Sequence, residues 1–217
     1  MPGVPDLTAA VGATEASATV SASVMVTSGS ETPLLTFPEV AKAISALFGD
    51  VSAADVRQQS GRMYGNAGEV LPKGVGHLAT AFGPVDAKDV FLDIEAGIGN
   101  VVAQIALTTN VGACVGQEVR SELCALAVER LRNSSNNYPR LQKMIMIATD
   151  VRDAAISSKP PMCDATIVFA NNLLFEEDTN LVLSRGLCAM PSARVVAVSC
   201  NFCPRHRATC SQLFCTL

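Results

Sequence analysis

From residue 64 onward the chain alternates short, continuous apolar runs with longer stretches of helical period. Residues 89–94 (DVFLDI) read as a buried strand, 99–109 as a helix, 113–116 as a strand, and 121–132 as a helix with Ser121 as its N-cap. Three further strands are predicted at 143–148 (KMIMIA), 165–170 (ATIVFA) and 194–199 (RVVAVS), with a helix at 176–186 between the last two. Strands that are apolar throughout and alternate with helices predict an α/β fold, a mostly parallel sheet covered by helices on both faces. Right-handed crossovers then favour a doubly wound, Rossmann-like arrangement.

Upstream, Thr36-Phe37-Pro38-Glu39 reads as a helix start, with Thr36 as N-cap and Pro38 in the first turn. Val40, Ile44, Leu47 and Phe48 make its apolar stripe, and Gly49-Asp50 ends it. Ser52 caps a second predicted helix over 53–59. Residues 36–63 thus form a small helical lead-in, and 64–217 form the main domain. Residues 1–35, rich in Ala, Ser, Thr and Val without a stable period, read as a disordered tail. Within the tail only Val24-Met25-Val26 resembles a strand. No internal repeat is visible.

Composition narrows the function classes. Hydrophobic residues make up 49% of the 217 residues, enough for a large core. No apolar run reaches the roughly 18–20 residues of a membrane helix, so no membrane partner is expected. The net charge is −4 and the pI about 5.2. That is a poor nucleic-acid footprint, and any DNA contact is expected to be weak or indirect. No cationic leader precedes the eight cysteines, which are expected to be reduced thiols of an intracellular protein. Cys200, Cys203, Cys210 and Cys215 lie near His206 but offer a single C-x-x-C. Unligated thiols are therefore preferred over zinc, and no metal site is expected. Arg205, His206 and Arg207 read as a solvated loop, and His77 as structural.

Chemistry enters where the first strand ends. Asp93-Ile94-Glu95-Ala96-Gly97-Ile98-Gly99-Asn100 leaves that strand and opens a helix. Glycines there let the backbone approach a ligand at the carboxyl end of the sheet, where open α/β folds bind nucleotides. Glu118, just past the second strand, stands where an acidic side chain grips a ribose diol. NAD enzymes and S-adenosylmethionine enzymes share this geometry. The full G-x-G-x-x-G is missing, since Val102 holds its last position, and an Asp closes the first strand. The methyltransferase form is favoured. Asn171-Asn172-Leu173-Leu174-Phe175 follows the fourth strand, where class I methyltransferases place polar groups beside the transferred methyl, and it reads otherwise as an Asn-rich turn capping the next helix.

Together these segments resemble the Dot family (disruptor of telomeric silencing) of non-SET histone lysine methyltransferases. Met63-Tyr64-Gly65 matches its Tyr-Gly-Glu loop. Asp93 to Asn100, followed by Val101-Val102-Ala103-Gln104-Ile105-Ala106, matches its nucleotide loop. Gly116-Gln117-Glu118 and Phe169-Ala170-Asn171-Asn172-Leu173-Leu174-Phe175 match its other two motifs. The resemblance covers about residues 36–200. It implies a class I S-adenosylmethionine-dependent methyltransferase fold with S-adenosyl-L-methionine as cofactor. Asp93, Gly97, Gly99, Glu118, Glu69 and Asp150 are its implied cofactor contacts, and Asn171, Phe175 and Tyr64 its implied catalytic and channel residues. It further implies a core-domain lysine of histone H3 in nucleosomes as substrate, and action on chromatin in the nucleus.

The chain departs from the family in four places. Asn66-Ala67-Gly68 separates Tyr64-Gly65 from Glu69, as an insertion that should displace the lid over the methyl donor. Glu95 stands at the first glycine of the nucleotide loop. If that position requires positive φ, a non-glycine residue costs about 1–2 kcal/mol. Facing the cofactor's carboxylate it adds about 3 kcal/mol of repulsion, whereas facing the cofactor's ammonium or sulfonium it attracts. Asp150-Val151 lacks the aromatic expected over the adenine. The sequence ends at Leu217, where a closing antiparallel hairpin is expected. These departures make a catalytically inactive, chromatin-binding relative the main alternative, and a methyltransferase for another substrate the second.

Overall fold

The computed structural model describes residues 32–51 and 70–202. Five strands form one parallel sheet: β1 (Val90–Ile94), β2 (Ala113–Glu118), β3 (Met144–Ala148), β4 (Ile167–Ala170) and β5 (Val195–Val198). Their spatial order is β3-β2-β1-β4-β5. The order reverses at β1, so the carboxyl ends of β1, β2 and β4 frame the crevice where this fold binds ligands. The expected α/β doubly wound architecture is the one observed.

Five α-helices complete the described residues, α1 (Phe37–Phe48), α2 (Pro72–Ala81), α3 (Asn100–Thr108), α4 (Ser121–Ser134) and α5 (Glu177–Cys188), with short 3-10 turns between them, the last at Asn172–Leu174. Alternation along each strand sorts the core. Phe91, Cys114, Ile167 and Phe169 face α2 and α3. Leu92, Ile94, Val115, Val168 and Ala170 face Leu183 and Leu187 of α5. The stripe of α1, with Val40, Ile44, Leu47 and Phe48, packs on Ala103 and Leu107 of α3 and on Leu123 and Leu131 of α4. The Glu39 carboxylate accepts hydrogen bonds from the Thr36 N–H at 2.7 Å and its hydroxyl at 2.6 Å, which fixes the start of α1.

Three details correct the sequence reading. The N-cap of α4 is Arg120, with Ser121 already helical, because Glu118 accepts the Arg120 N–H at 2.9 Å and turns the chain there. β2 runs on to Glu118, since Gln117 and Glu118 are buried despite their polarity. α2 was not expected. Its Gly74 and Gly76 weaken the helical signal, while Pro72 in the first turn supports its start. The predicted helix over 53–59, the strand-like Val24–Val26 and the loop bearing Tyr64, Gly65, Asn66 and Glu69 lie outside the described residues, as do Cys203, Arg205, His206, Arg207, Cys210 and Cys215.

The amino ends of β1, β4 and β5 are tied together around Asp89. Arg194 donates from Nε to Asp89 Oδ1 at 3.0 Å and from a terminal nitrogen to Asp89 Oδ2 at 2.9 Å, and reaches the carbonyls of Phe82 and Pro84. Thr166 donates its hydroxyl to the same carboxylate at 2.7 Å. This knot joins the entries to β1, β4 and β5 to the end of α2, at the pole opposite the crevice.

Candidate functional site

The loop from Glu95 to Gly99 is pinned from both sides. The Ala96 N–H donates to Gln117 O of β2 at 2.9 Å, and the Asn171 N–H donates to Ile94 O of β1 at 3.2 Å. Asn171 is thereby fixed beside the glycine loop. Gly97 has φ 55 and Gly99 φ 80, both left-handed. A Cβ at Gly97 would meet nothing within 4 Å, so this glycine leaves open room above the loop. Gly116 has a different reason. A Cβ there would lie 2.5 Å from Met146 Sδ and 3.0 Å from Ala96 Cβ. The loop can lie against β2 because that position has no side chain.

Glu118 closes the loop. One carboxylate oxygen accepts the Gly97 N–H at 2.8 Å and the other the Arg120 N–H at 2.9 Å, with Arg120 Nε 3.6 Å away. The side chain is buried. Thr149 N–H donates to Glu118 O at 2.9 Å, and the Gln117 amide donates to Thr149 O. These bonds bring Asp150 to the end of β2. Arg152 grips Asp150 through both carboxylate oxygens and holds its carboxyl below the usual range. Val151 belongs to the core on the α5 side.

Asp93 is only 1% exposed, and neither carboxylate oxygen has a hydrogen-bond partner among the described residues. Burial, then Glu118, then Glu95 push its carboxyl well above the usual range. A buried acid without a donor is a candidate for meeting a polar ligand or an ordered water. Glu95 does adopt positive φ, 67°, as a glycine would. Its carboxyl is pushed up to about 7, by burial first and then by Glu118, with Arg120 opposing and Asp150 adding to the rise.

On the other flank, Asn171 and Asn172 divide their work. Asn172 is fully buried. Its amide donates to Asn180 Oδ1 at 2.8 Å and Cys200 O at 3.0 Å, and its oxygen accepts the Cys200 N–H at 3.0 Å. It clamps the end of β4 to α5 and to the chain leaving β5. Asn171 stays at the rim, where Ser199 donates its hydroxyl to Asn171 Oδ1 at 2.7 Å. Phe175 is half-buried against the α5-side core. Asp93, Gly97, Gly99, Glu118, Asp150, Asn171 and Phe175 thus all stand along the carboxyl edge of the sheet. The sequence reading did not single out Arg120, Ser199 or the clamp made by Asn172. Tyr64 and Glu69 lie outside the described residues.

A family model described as histone methylation protein DOT1 matches residues 57–212, most of the chain. Among solved structures, the chain is similar to a protein of Methanococcus maripaludis assigned to the S-adenosyl-L-methionine-dependent methyltransferases. The two share 13% identity over 78% of this chain and 68% of that one, with a TM-score of 0.48. It is also similar to an S-adenosylmethionine-dependent O-methyltransferase of Thermotoga maritima, at 17% identity over 61% of this chain and 45% of that one, TM-score 0.46. For TrmK of M. capricolum in complex with S-adenosyl-homocysteine, the values are 9% identity, 53% of this chain, 46% of that one and a TM-score of 0.40.

Proposed function

The chain belongs to the DOT1 family of histone methylation proteins, S-adenosylmethionine-dependent methyltransferases, and from that premise we propose that it methylates a core-domain lysine of histone H3 in nucleosomes, in the nucleus. The observation that carries the reading is the family match over residues 57–212, read together with the placement of Asn171 against the Ile94 carbonyl at the mouth of the glycine loop.

The residues present fit the family's cofactor. Asp93 supplies a buried carboxyl without a donor, Gly97 leaves room where a Cβ would stand, and Glu118 lies where a ribose diol is gripped. Asp150 stands on the same side for the adenine. When bound, S-adenosylmethionine supplies an electrophilic methyl group on its sulfonium. The chain's task is then to align a neutral lysine amine in line with that methyl and to exclude water. Asn171, held by Ser199, orients the amine, and Phe175 walls its channel. A lysine amine that arrives neutral needs no dedicated protein base, which suits a site whose assigned residues include no His or Cys.

Glu95 favours a second reading, a non-catalytic relative that binds chromatin. It occupies a left-handed loop position and crowds the site with a further acid. One experiment separates the two. Recombinant nucleosomes and free histones are incubated with labelled S-adenosylmethionine and the chain, or with its Asn171→Ala variant. Label on histone H3 in nucleosomes, lost in Asn171→Ala, is the expected result. Cofactor binding without methyl transfer to either substrate would overturn the histone reading.

A further inference from the structure

We infer that the nucleoside half of the cofactor and an ionised Glu95 exclude each other, so that ligand binding at this site draws a proton onto Glu95. The inference rests on the cofactor reading above.

The placement of Glu95 comes first. Its backbone follows directly from β1 and is held between the bonds Ala96 N–H to Gln117 O and Asn171 N–H to Ile94 O. At φ 67 its backbone is left-handed, and these bonds hold the loop in that conformation. The charged groups that act on it are Glu118 at the end of β2, Arg120 at the cap of α4, and Asp150 after β3. Asp93 stands behind it on β1 and feels it in turn. Glu118, Arg120 and Asp150 all lie on the β2–β3 side, where the nucleoside is gripped. Glu95 therefore borders the nucleoside half, and the repulsion expected from the cofactor's carboxylate is not its main relationship.

The charge balance then decides the sign. Both nearby cations are shared with other carboxylates, and Arg120, which favours an ionised Glu95, only partly offsets burial and Glu118. Arg120 leans on Glu118 at 3.6 Å, and Arg152 is bidentate on Asp150. Water is what remains to solvate the carboxylate. A purine nucleoside seated between Glu118 and Asp150 removes that water and brings no formal charge. Burial without a compensating donor disfavours the ionised form, and two neighbouring carboxylates disfavour it further. The protonated acid can instead donate a hydrogen bond. Because the free carboxyl titrates at about 7, the exchange falls in the physiological range.

The test is calorimetric titration of the full chain with S-adenosylhomocysteine between pH 6 and 8, in buffers of different ionisation enthalpy. Glu95→Gln and Glu95→Gly are titrated alongside, and thermal unfolding checks that each is folded. The wild type is expected to take up about half a proton at pH 7 beyond the Gln variant, and to bind about tenfold more weakly at pH 8 than at pH 6. Glu95→Gln is expected to show a flat profile. Equal proton uptake by wild type and Gln variant, or tighter wild-type binding at pH 8, would overturn this inference and leave the cofactor reading intact. No binding by any of the three folded proteins at pH 6 would overturn the cofactor reading, and this inference with it.

Discussion

Glu118 at the end of β2 receives the Gly97 N–H at 2.8 Å, so the acid assigned to the ribose also holds the glycine loop in shape. Its second oxygen holds the turn into α4 through Arg120. Removing the carboxylate should damage the ligand contact and the loop together. Each hydrogen bond to a charged group is worth about 1.5–3 kcal/mol. Glu118→Ala is expected to weaken S-adenosylhomocysteine binding at least tenfold and to lower the melting temperature. Glu118→Gln, which keeps one acceptor, should lose less of both. Calorimetry and thermal unfolding read the two effects, and unchanged affinity in Glu118→Ala would remove that residue from the cofactor site.

Glu95→Gly should stabilise the protein without ligand. The left-handed conformation at φ 67 costs a non-glycine residue about 1–2 kcal/mol, offset in part by the greater unfolded-state freedom of glycine. A net gain of about 1 kcal/mol is expected in denaturant unfolding near pH 5. The gap should widen with pH. The folded-state value of Glu95, about 7, lies above its unfolded value, so its favourable contribution is complete below about pH 4 and is lost as pH rises to 7. A gap that narrows with rising pH would show that ionised Glu95 is well solvated in the folded state.

The strands were legible because buried parallel strands are apolar throughout, as in VFLDI, MIMIA and IVFA. β2 was read short for the same reason: Gln117 and Glu118 are polar, and only the folded sheet shows that they are buried. The glycine loop was legible because a strand–turn–helix sequence fixes local geometry, whereas the positive φ at Glu95 was legible only as a condition, through the family's glycine at that position. The bonds that decide how the site works were not. Asn172 reaches Cys200, and Arg194 reaches Asp89, across sequence distances that only the strand order closes. Adjacent asparagines look equivalent in sequence. Which one turns inward depends on where β4 ends.

Asn171 and Asn172 should therefore fail differently. Asn172→Ala deletes a buried amide and orphans the Cys200 N–H. It is expected to destabilise the fold by about 2–4 kcal/mol. Asn171→Ala should unfold within about 1 kcal/mol of the wild type while methyl transfer falls about a hundredfold, through loss of amine alignment. Ser199→Ala, which releases Asn171 Oδ1, should lower turnover less and leave stability nearly unchanged. Denaturant unfolding and single-turnover methylation separate these outcomes. Equal stability losses at both asparagines would deny Asn171 a special role.

The Asp89–Arg194 knot should set the acid limit of the fold. Arg194 beside Asp89, with the Asp86 N–H and the Thr166 hydroxyl, holds that carboxyl well below the usual carboxylate range, against the opposing cost of burial. A depressed folded value means that the stabilisation is complete above the unfolded value of about 4 and is lost as pH falls below it. Arg194 is partly exposed, which moderates its share through solvent screening. Asp89→Asn is therefore expected to cost about 2 kcal/mol at pH 7 in denaturant unfolding. The difference from wild type should shrink steadily below pH 4. The knot lies at the amino ends of the strands, away from the loop at Gly97, so S-adenosylhomocysteine affinity at pH 7 should stay within about twofold in the folded variant. A stability gap that does not shrink at all between pH 4 and pH 2 would mean that the lost energy comes from packing around Thr166 and Phe82 rather than from the ion pair.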